Sequence, residues 1–341
     1  MHLGHEGDLS HCDGPSGLDR GDLSSHASGR FDLRTERDSI LVIRPGALGD
    51  TILGLPVLQS IRKRHPQSRI VLLGSRAYRG IIPTDVEFHG LDDPKWLWLF
   101  EPGAKRKPTY TFQEAYVMLN NPDAIIRSLE QSGTKRVYSA KSAPAAGRHV
   151  VECLHKRLGL EVPQRRPALL HLAPVIKREI IWFHPGSGGP EKCVPPDLLV
   201  RYVATMAKAK GWPVTITLGE ADGFLRDQPG WDELFSLPGA VLLENRPLEE
   251  ICREVGGALL FIGNDSGMSH LAAGLSVPSI VLFVSTDPAQ WAPWVPQEQV
   301  TTVDLRGRDL EDPLEREAFI EALDRGWPPA RDAVPRPRGT S

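Results

Sequence analysis

Short apolar or β-branched runs alternate with helix-patterned stretches along most of this sequence, and few folds accept that order. The first series of runs lies at residues 40–43, 70–73, 116–119 and 136–139, with helical patterns at 51–64 and 122–131. A second series reads "EIIWF", "PVTITL", "AVLLE", "ALLFIG" and "PSIVLF", with helical patterns at 196–210, 247–255 and 268–275. Such alternation calls for parallel sheets with helices on both faces. The Pro- and Arg-rich stretch "GLEVPQRRPALLHLAPVIKRE" separates the two series and reads as a linker near residues 160–177. The expectation is therefore an α/β chain with two doubly wound, Rossmann-like domains, residues 38–165 and 176–328, facing a central cleft. Ligands of such sheets lie beyond the carboxyl ends of the strands.

Composition narrows the class further. A chain of 341 residues, 40% hydrophobic and 24% charged, suits a globular protein of roughly two domains. A formal net charge of -3 provides no global field for nucleic acid. No apolar run reaches the ~18 residues that would span a bilayer. Cys12, Cys153, Cys193 and Cys252 form no Cys-x-x-Cys pair, so neither a zinc site nor a disulfide framework is indicated, and a reducing cytoplasm fits. Residues 1–37 are rich in Gly, Ser, Asp and His and poor in large apolar groups, which predicts a disordered leader. The irregular spacing of its histidines favours that reading over a metal-binding arm. Residues 329–341 read as a disordered tail for the same reason.

Three loops carry polar groups where a strand turns into a helix. In "ILVIRPGALGDTILGLPVLQSIRKRHP", Asp50 follows a strand and opens a helix, and Gly46 and Gly49 give the turn unusual dihedral freedom. A helix N-cap would explain the carboxylate. So would a base facing the cleft, and the two roles compete because a cap bond lowers basicity. In "FHPGSGGPEKCVPPDLL" the glycines, Ser187 and Lys192 suit a phosphate group, although the Walker spacing is absent. In "FIGNDSGMSHLAAGLSVPSIVLF" a buried strand ends at Asp265, and Ser266 and Gly267 start a short helix that carries His270. Free N–H groups at that start favour an anion; a capping Asp265 and a core His270 are the structural alternatives. A further loop, "TLGEADGF", sets Glu220 and Asp222 after a strand, as ribose ligands or as solvated carboxylates.

Taken together, "RPGALGDTILGLPVLQSIRKRHP", "HPGSGGPEKCVPPDLL" and "GNDSGMSHLAAGLSVPSIVLFVSTDPAQWAPW" resemble glycosyltransferase family 9, the ADP-heptose:lipopolysaccharide heptosyltransferases. The resemblance runs from about residue 39 to 327 and is weak between residues 77 and 150. It implies a GT-B fold and inverting transfer of heptose from ADP-heptose onto a Kdo or heptose residue of the lipopolysaccharide core. Asp50 matches the family's general base, and Arg44 and Gly49 of the same turn fall on the acceptor side. Lys192 matches the lysine on the donor phosphate, with Ser187 in the same loop. Asp265, Ser266, Gly267 and His270 match the segment around the diphosphate and sugar. Glu220 or Asp222 lies near the ribose-binding acid, and Arg246 lies where the adenine base is floored. Pro45-Gly46 and Cys193-Val194 depart from the family pattern without removing an ionisable group. Lys105, Arg106 and Lys107 fall in the poorly matching part of the first domain, where a solvated loop or an acceptor contact would explain them.

The chemistry that follows has the helix start at Ser266 and Gly267, with Lys192, stabilising the leaving diphosphate. Asp50 accepts the acceptor proton from across the cleft, a contribution of roughly 10²–10⁴-fold. No Asp-x-Asp pair is present, so no metal and no cofactor is expected. The expected partners are a nucleotide-sugar donor and a lipid-linked saccharide acceptor, with no nucleic acid. The expected place is the cytoplasm, with peripheral contact at the cytoplasmic face of the inner membrane. The alternatives are another nucleotide-sugar donor on the same scaffold, a nucleotide-sugar epimerase, and a non-catalytic nucleotide-sugar-binding protein. Dinucleotide oxidoreduction is disfavoured, because "GALGDT" lacks the Gly-x-Gly-x-x-Gly fingerprint.

Overall fold

A computed structural model describes residues 39–103, 111–163 and 176–327. The expectations for the leader, the tail, most of the linker, and Lys105, Arg106 and Lys107 fall outside the described residues. The first sheet holds β1 (Ser39–Ile43), β2 (Arg69–Gly74), β3 (Glu87–Gly90), β4 (Glu114–Met118) and β5 (Arg136–Ala140). They pair in parallel in the order β3-β2-β1-β4-β5. The second sheet holds β6 (Arg178–His184), β7 (Val214–Leu218), β8 (Val241–Glu244), β9 (Ala258–Asn264), β10 (Ser279–Phe283) and β11 (Val300–Asp304). Its order is β11-β10-β9-β6-β7-β8, again parallel. The helices are α1 (Leu48–Arg64), α2 (Asp123–Gln131), α3 (Val150–Arg157), α4 (Pro196–Lys210), α5 (Trp231–Phe235), α6 (Leu248–Gly256), α7 (Gly267–Gly274), α8 (Pro288–Trp291) and α9 (Pro313–Arg325).

The central strands are continuous apolar runs because helices cover both faces of a parallel sheet. All five residues of β1, β4 and β10 are buried. The edge strands β3 and β11 escape sequence reading for the converse reason. "EFHG" and "VTTVD" face solvent on one side and are short and polar, as edges tend to be. Helix α1 is buried without a break from Thr51 to Leu58, which an amphipathic surface helix could not be. The cause is its position: side chains of β1, α1 and α3 share one apolar cluster with Trp182, Phe261 and residues of α6 and α7 from the second half. Separate clusters fill the outer face of the first sheet, under α2 and the turn Pro94–Phe100, and the second sheet.

Strand order fixes where ligands can go. In the first sheet the chain steps outward through β1, β2 and β3, then returns to β4 on the other side of β1. In the second it steps through β6, β7 and β8, then returns to β9 beside β6. The crevices at these reversals, β1/β4 and β6/β9, are the ligand positions of doubly wound sheets. Among the described residues no helix is long and apolar enough to cross a membrane.

Candidate active site

The β1/β4 crevice is organised by Arg44 and Asp50. Arg44 follows β1 and is only 4% exposed. Its stem crosses α1 at Gly54, where a Cβ would lie 3.1 Å from Arg44 Cγ. Its Nη2 donates to Asp50 Oδ1 at 2.9 Å, its Nε to the Asp50 carbonyl at 3.0 Å, and its Nη1 to Ser142 Oγ. Burial pulls the Arg44 pKa down and the carboxylate of Asp50 opposes the shift. Asp50 is the third residue of α1 rather than its N-cap; Ala47 holds that position and no side chain caps the helix. The capping alternative is thus replaced by an ion pair. Among the described residues no hydrogen bond engages Oδ2 of Asp50. Gly46 is required twice, by its φ of +143° and because a Cβ would sit 2.8 Å from Asp50 Oδ2. Arg44, Gly46 and Asp50 line an open pocket of about 590 Å³ with Met118, Asn120, Ser142, Pro144 and Trp291.

The β6/β9 crevice carries the phosphate-like loop. Asn264, wholly buried at the end of β9, donates from Nδ2 to the Pro185 carbonyl at 2.5 Å and accepts the Val194 N–H at 3.1 Å. It therefore staples both ends of the loop that bears Ser187 and Lys192. Ser187 turns inward, donating to the Gly189 carbonyl at 3.1 Å. Lys192 ends the turn Pro190–Lys192 and makes no ion pair among the described residues, although its charge helps offset the burial that raises the Asp265 carboxyl. Asp265 accepts the Thr286 hydroxyl rather than capping α7. The N-cap is Ser266, whose own N–H is held by Ser269 Oγ at 3.2 Å. Ser266 Oγ is buried with no partner, and so is Nδ1 of His270. The start of α7 thus keeps two polar side-chain atoms without a partner among the described residues, beside the free N–H groups of a helix start, which favour an anion.

The two helix starts touch. A Cβ on Gly267 would lie 2.8 Å from Leu48 Cβ and 3.1 Å from the Gly49 nitrogen. A Cβ on Gly49 would lie 3.0 Å from His270 Cδ2. Gly49 therefore serves close helix contact and is absent from the pocket beside Asp50; unlike Gly46 it adopts no left-handed φ. Desolvation lowers the His270 pKa to about 4, against the pull of Asp50, so the ring is neutral at physiological pH. Its Nε2 lies 3.9 Å from Asp265 Oδ1.

The remaining expected residues divide. Glu220 is exposed. Asp222 is 3% exposed, accepts the Gly219 N–H at 2.8 Å, and packs so tightly under Gly186 that a Cβ there would fall 2.0 Å from Asp222 Oδ1. It buttresses the Ser187 loop together with His184, 3.8 Å away. Arg246 is exposed ahead of α6, with Glu250 at 3.9 Å. Asn264, Ser142, Thr286 and Trp291 join the site without a sequence signal strong enough to single them out. Only the Asn-Asp pair ending the β9 run hints at Asn264. Among the described residues no group of three or more His, Cys, Asp or Glu side chains is placed to hold a metal ion.

Comparison with known proteins fits this geometry. The family described as glycosyltransferase family 9 (heptosyltransferase) matches residues 144–313. That span holds the Lys192 and Asp265 loops but not the Asp50 turn. Among curated proteins no sequence matches. A family 9 glycosyltransferase from Veillonella parvula superposes with a TM-score of 0.63 at 17% identity, over 85% of this chain and 97% of that one. E. coli ADP-heptose lps heptosyltransferase II gives 0.63 at 19%, over 84% and 98%. E. coli heptosyltransferase WaaC with ADP gives 0.61 at 16%, over 85% and 100%. At these identities the likeness is one of fold, the two Rossmann-like halves of a GT-B enzyme. With the matched Lys192 and Asp265 loops seated at the β6/β9 crevice, the chain is a glycosyltransferase of family 9.

Proposed function

We propose that this glycosyltransferase moves heptose from ADP-heptose, with inversion, to a hydroxyl of a Kdo or heptose residue in the lipopolysaccharide core. The observation that carries the reading is the contact between the two helix starts. It sets a carboxylate with a free oxygen, Asp50, across from the unsatisfied donors of α7. Two of the similar structures are described as heptosyltransferases bound to ADP or to a fluorinated ADP-heptose, which supports the choice of donor.

The acceptor oxygen attacks the anomeric carbon from the face opposite the diphosphate. The new C–O bond forms as the bond from the anomeric carbon to the phosphate oxygen breaks, and ADP departs with the electron pair. The acceptor proton passes to Asp50, held in place by Arg44 through two hydrogen bonds. Charge gathering on ADP meets the N–H groups of α7 and the ammonium of Lys192. Protein groups carry that charge in this scheme, and no metal or cofactor is invoked. Neutral His270 can donate or accept without adding charge. Exposed Glu220 is free to meet the ribose and Arg246 the base, whereas Asp222 is engaged beneath the loop. The acceptor's lipid would lie outside the pocket, with the enzyme in the cytoplasm at the inner face of the membrane.

Calorimetric titration with ADP, UDP, GDP and dTDP tests the donor. The expected result is a preference for ADP of about tenfold or more, with affinity for all four diphosphates weakened in Lys192→Ala. Preference for another base keeps the family and removes ADP-heptose.

A further inference from the structure

The pocket beside Asp50 has one wall from the other half of the molecule. Met118 ends β4 and Leu119 and Asn120 follow it, and Ser142, Ala143 and Pro144 follow β5, but Trp291 ends α8 beyond β10. The segment carrying it is fixed at several points. Asp287 caps α8, accepting the Ala289 N–H at 3.0 Å. Gln290 Nε2 donates to the Ala145 carbonyl at 3.2 Å. His149 Nδ1 accepts the Val151 N–H at 3.2 Å, so its Nε2 carries the proton and donates it to the Ala292 carbonyl at 2.7 Å. The His149 ring also packs on Trp294, with centroids 4.6 Å apart. Trp291 is thus clasped to the β5–α3 loop on both sides, while its indole is left partly exposed to the pocket.

We propose that Trp291 is the platform for the acceptor's sugar ring, and that the ring it selects is uncharged. The inference rests on the transferase reading for the presence of an acceptor and goes beyond it in naming what the acceptor presents. An aromatic face with Met118, Leu119 and Pro144 suits the C–H face of a pyranose. A few polar groups then fix its orientation, as in most small-molecule sites. Asn120 has its carbonyl oxygen occupied by the Ser142 N–H at 3.1 Å, which leaves its NH₂ for a sugar hydroxyl. Ser142 accepts from Arg44 and keeps its own hydroxyl proton to donate.

Charge decides against an acidic ring. Among the described lining residues the one cation is Arg44, already committed to Asp50 and Ser142. A sugar carboxylate here would stand beside Asp50 with no uncommitted cation among the described lining residues, and both desolvation and like-charge repulsion oppose that. Lys141 and Arg148 are exposed and do not line the pocket. A heptose or other neutral pyranose meets these terms; a Kdo ring does not.

Saturation-transfer NMR on the full chain with saturating ADP tests this. The probes are methyl α-D-mannopyranoside as the neutral ring and the methyl glycoside of Kdo as the acidic one. The expected result is transfer to one face of the mannoside, lost in Trp291→Ala and kept in Trp291→Phe, with the Kdo glycoside binding about tenfold more weakly or worse. Calorimetry should give the same ADP affinity for wild type and Trp291→Ala, which establishes that the variant is folded. Undiminished transfer in Trp291→Ala, no transfer to the mannoside in wild type, or equal binding of the Kdo glycoside would each overturn the proposal. Loss of ADP preference in wild type would instead strike the donor reading and leave the platform standing.

Discussion

Two turns of similar construction meet at the centre of this protein, one after β1 and one after β9. Each follows a buried central strand, contains an aspartate, and opens a helix whose N-cap residue makes no side-chain cap bond. What they leave unsatisfied differs. After β1, buried Arg44 binds Asp50 through its carboxylate and its carbonyl, so the acid is held rigid with one oxygen free. After β9, Asp265 is tied back to Thr286, and the spare groups are the Ser266 hydroxyl and the His270 ring nitrogen. One turn offers a fixed anion and the other two unpartnered polar groups at a helix start. A reaction that consumes a proton acceptor on one side and builds negative charge on the other needs that division.

The largest effect should come from breaking the first turn. Asp50→Asn removes the proton acceptor while keeping the shape, and turnover should fall by about 10²–10⁴-fold. Donor affinity, set by the other turn, should hold. Steady-state transfer assays with ADP calorimetry check both; a loss below about fivefold in a folded variant would sink the assignment of Asp50 as base.

His270 sharpens the comparison through pH. Its folded pKa is about 4 against an ordinary value of 6.5, so between these values the unfolded chain binds more protons than the folded one. Stability therefore rises with pH across that window, is fully present above about pH 6.5, and is lost progressively as pH falls toward 4, by about 3 kcal/mol in all. Asp50 and Asp265 face the ring and temper the slope. Urea unfolding from pH 4 to 7 should give a shallower dependence in His270→Gln than in wild type. Identical slopes would mean that the ring is solvated or ion-paired when protonated.

Much of this is legible in the sequence, and the misses share a cause. Periodicity locates the central strands because a parallel sheet buried on both faces must be apolar throughout. It passes over β3 and β11, edge strands whose residues are short or polar runs, whereas the edges β5 and β8 keep enough apolar residues to be read. The motifs deliver Asp50, Lys192 and the start of α7, because glycines and polar groups at a strand end stand out locally. The partnership of Arg44 with Asp50 is present as a six-residue spacing. Its meaning depends on Gly54 opening a path for the arginine stem. Asp222 and Glu220 look interchangeable in "GEADGF", yet one is sealed beneath Gly186 and the other is in water. The pocket of Asn120, Ser142 and Trp291 is assembled from segments up to 171 residues apart, and no local pattern announces it.

Lys192→Ala probes the second turn alone. A charge-assisted contact to the donor diphosphate is worth about 1.5–3 kcal/mol. The ADP dissociation constant should therefore rise by roughly ten- to a hundredfold, with Asp50 and its pocket untouched. An unchanged affinity would detach the 185–194 loop from phosphate binding and leave the α7 start to carry the anion unaided.

The smallest expected effect tests whether the two turns need their contact. A methyl group on Gly267 would meet Leu48 Cβ at 2.8 Å and the Gly49 nitrogen at 3.1 Å, and neither is the tip of a flexible side chain. Gly267→Ala should therefore push the helix starts apart and cost about 1–3 kcal/mol of stability, as overpacking of a close contact does. Gly223→Ala is the control, because nothing lies within 4 Å of the place its methyl group would take and its φ is ordinary. It should change stability by less than about 0.5 kcal/mol. Urea unfolding of the pair separates general glycine effects from the contact itself. If Gly267→Ala is as stable as the control yet turns over more slowly, the contact serves alignment of Asp50 with the donor. If it loses stability and turnover together, the shared core and the site depend on one and the same close approach.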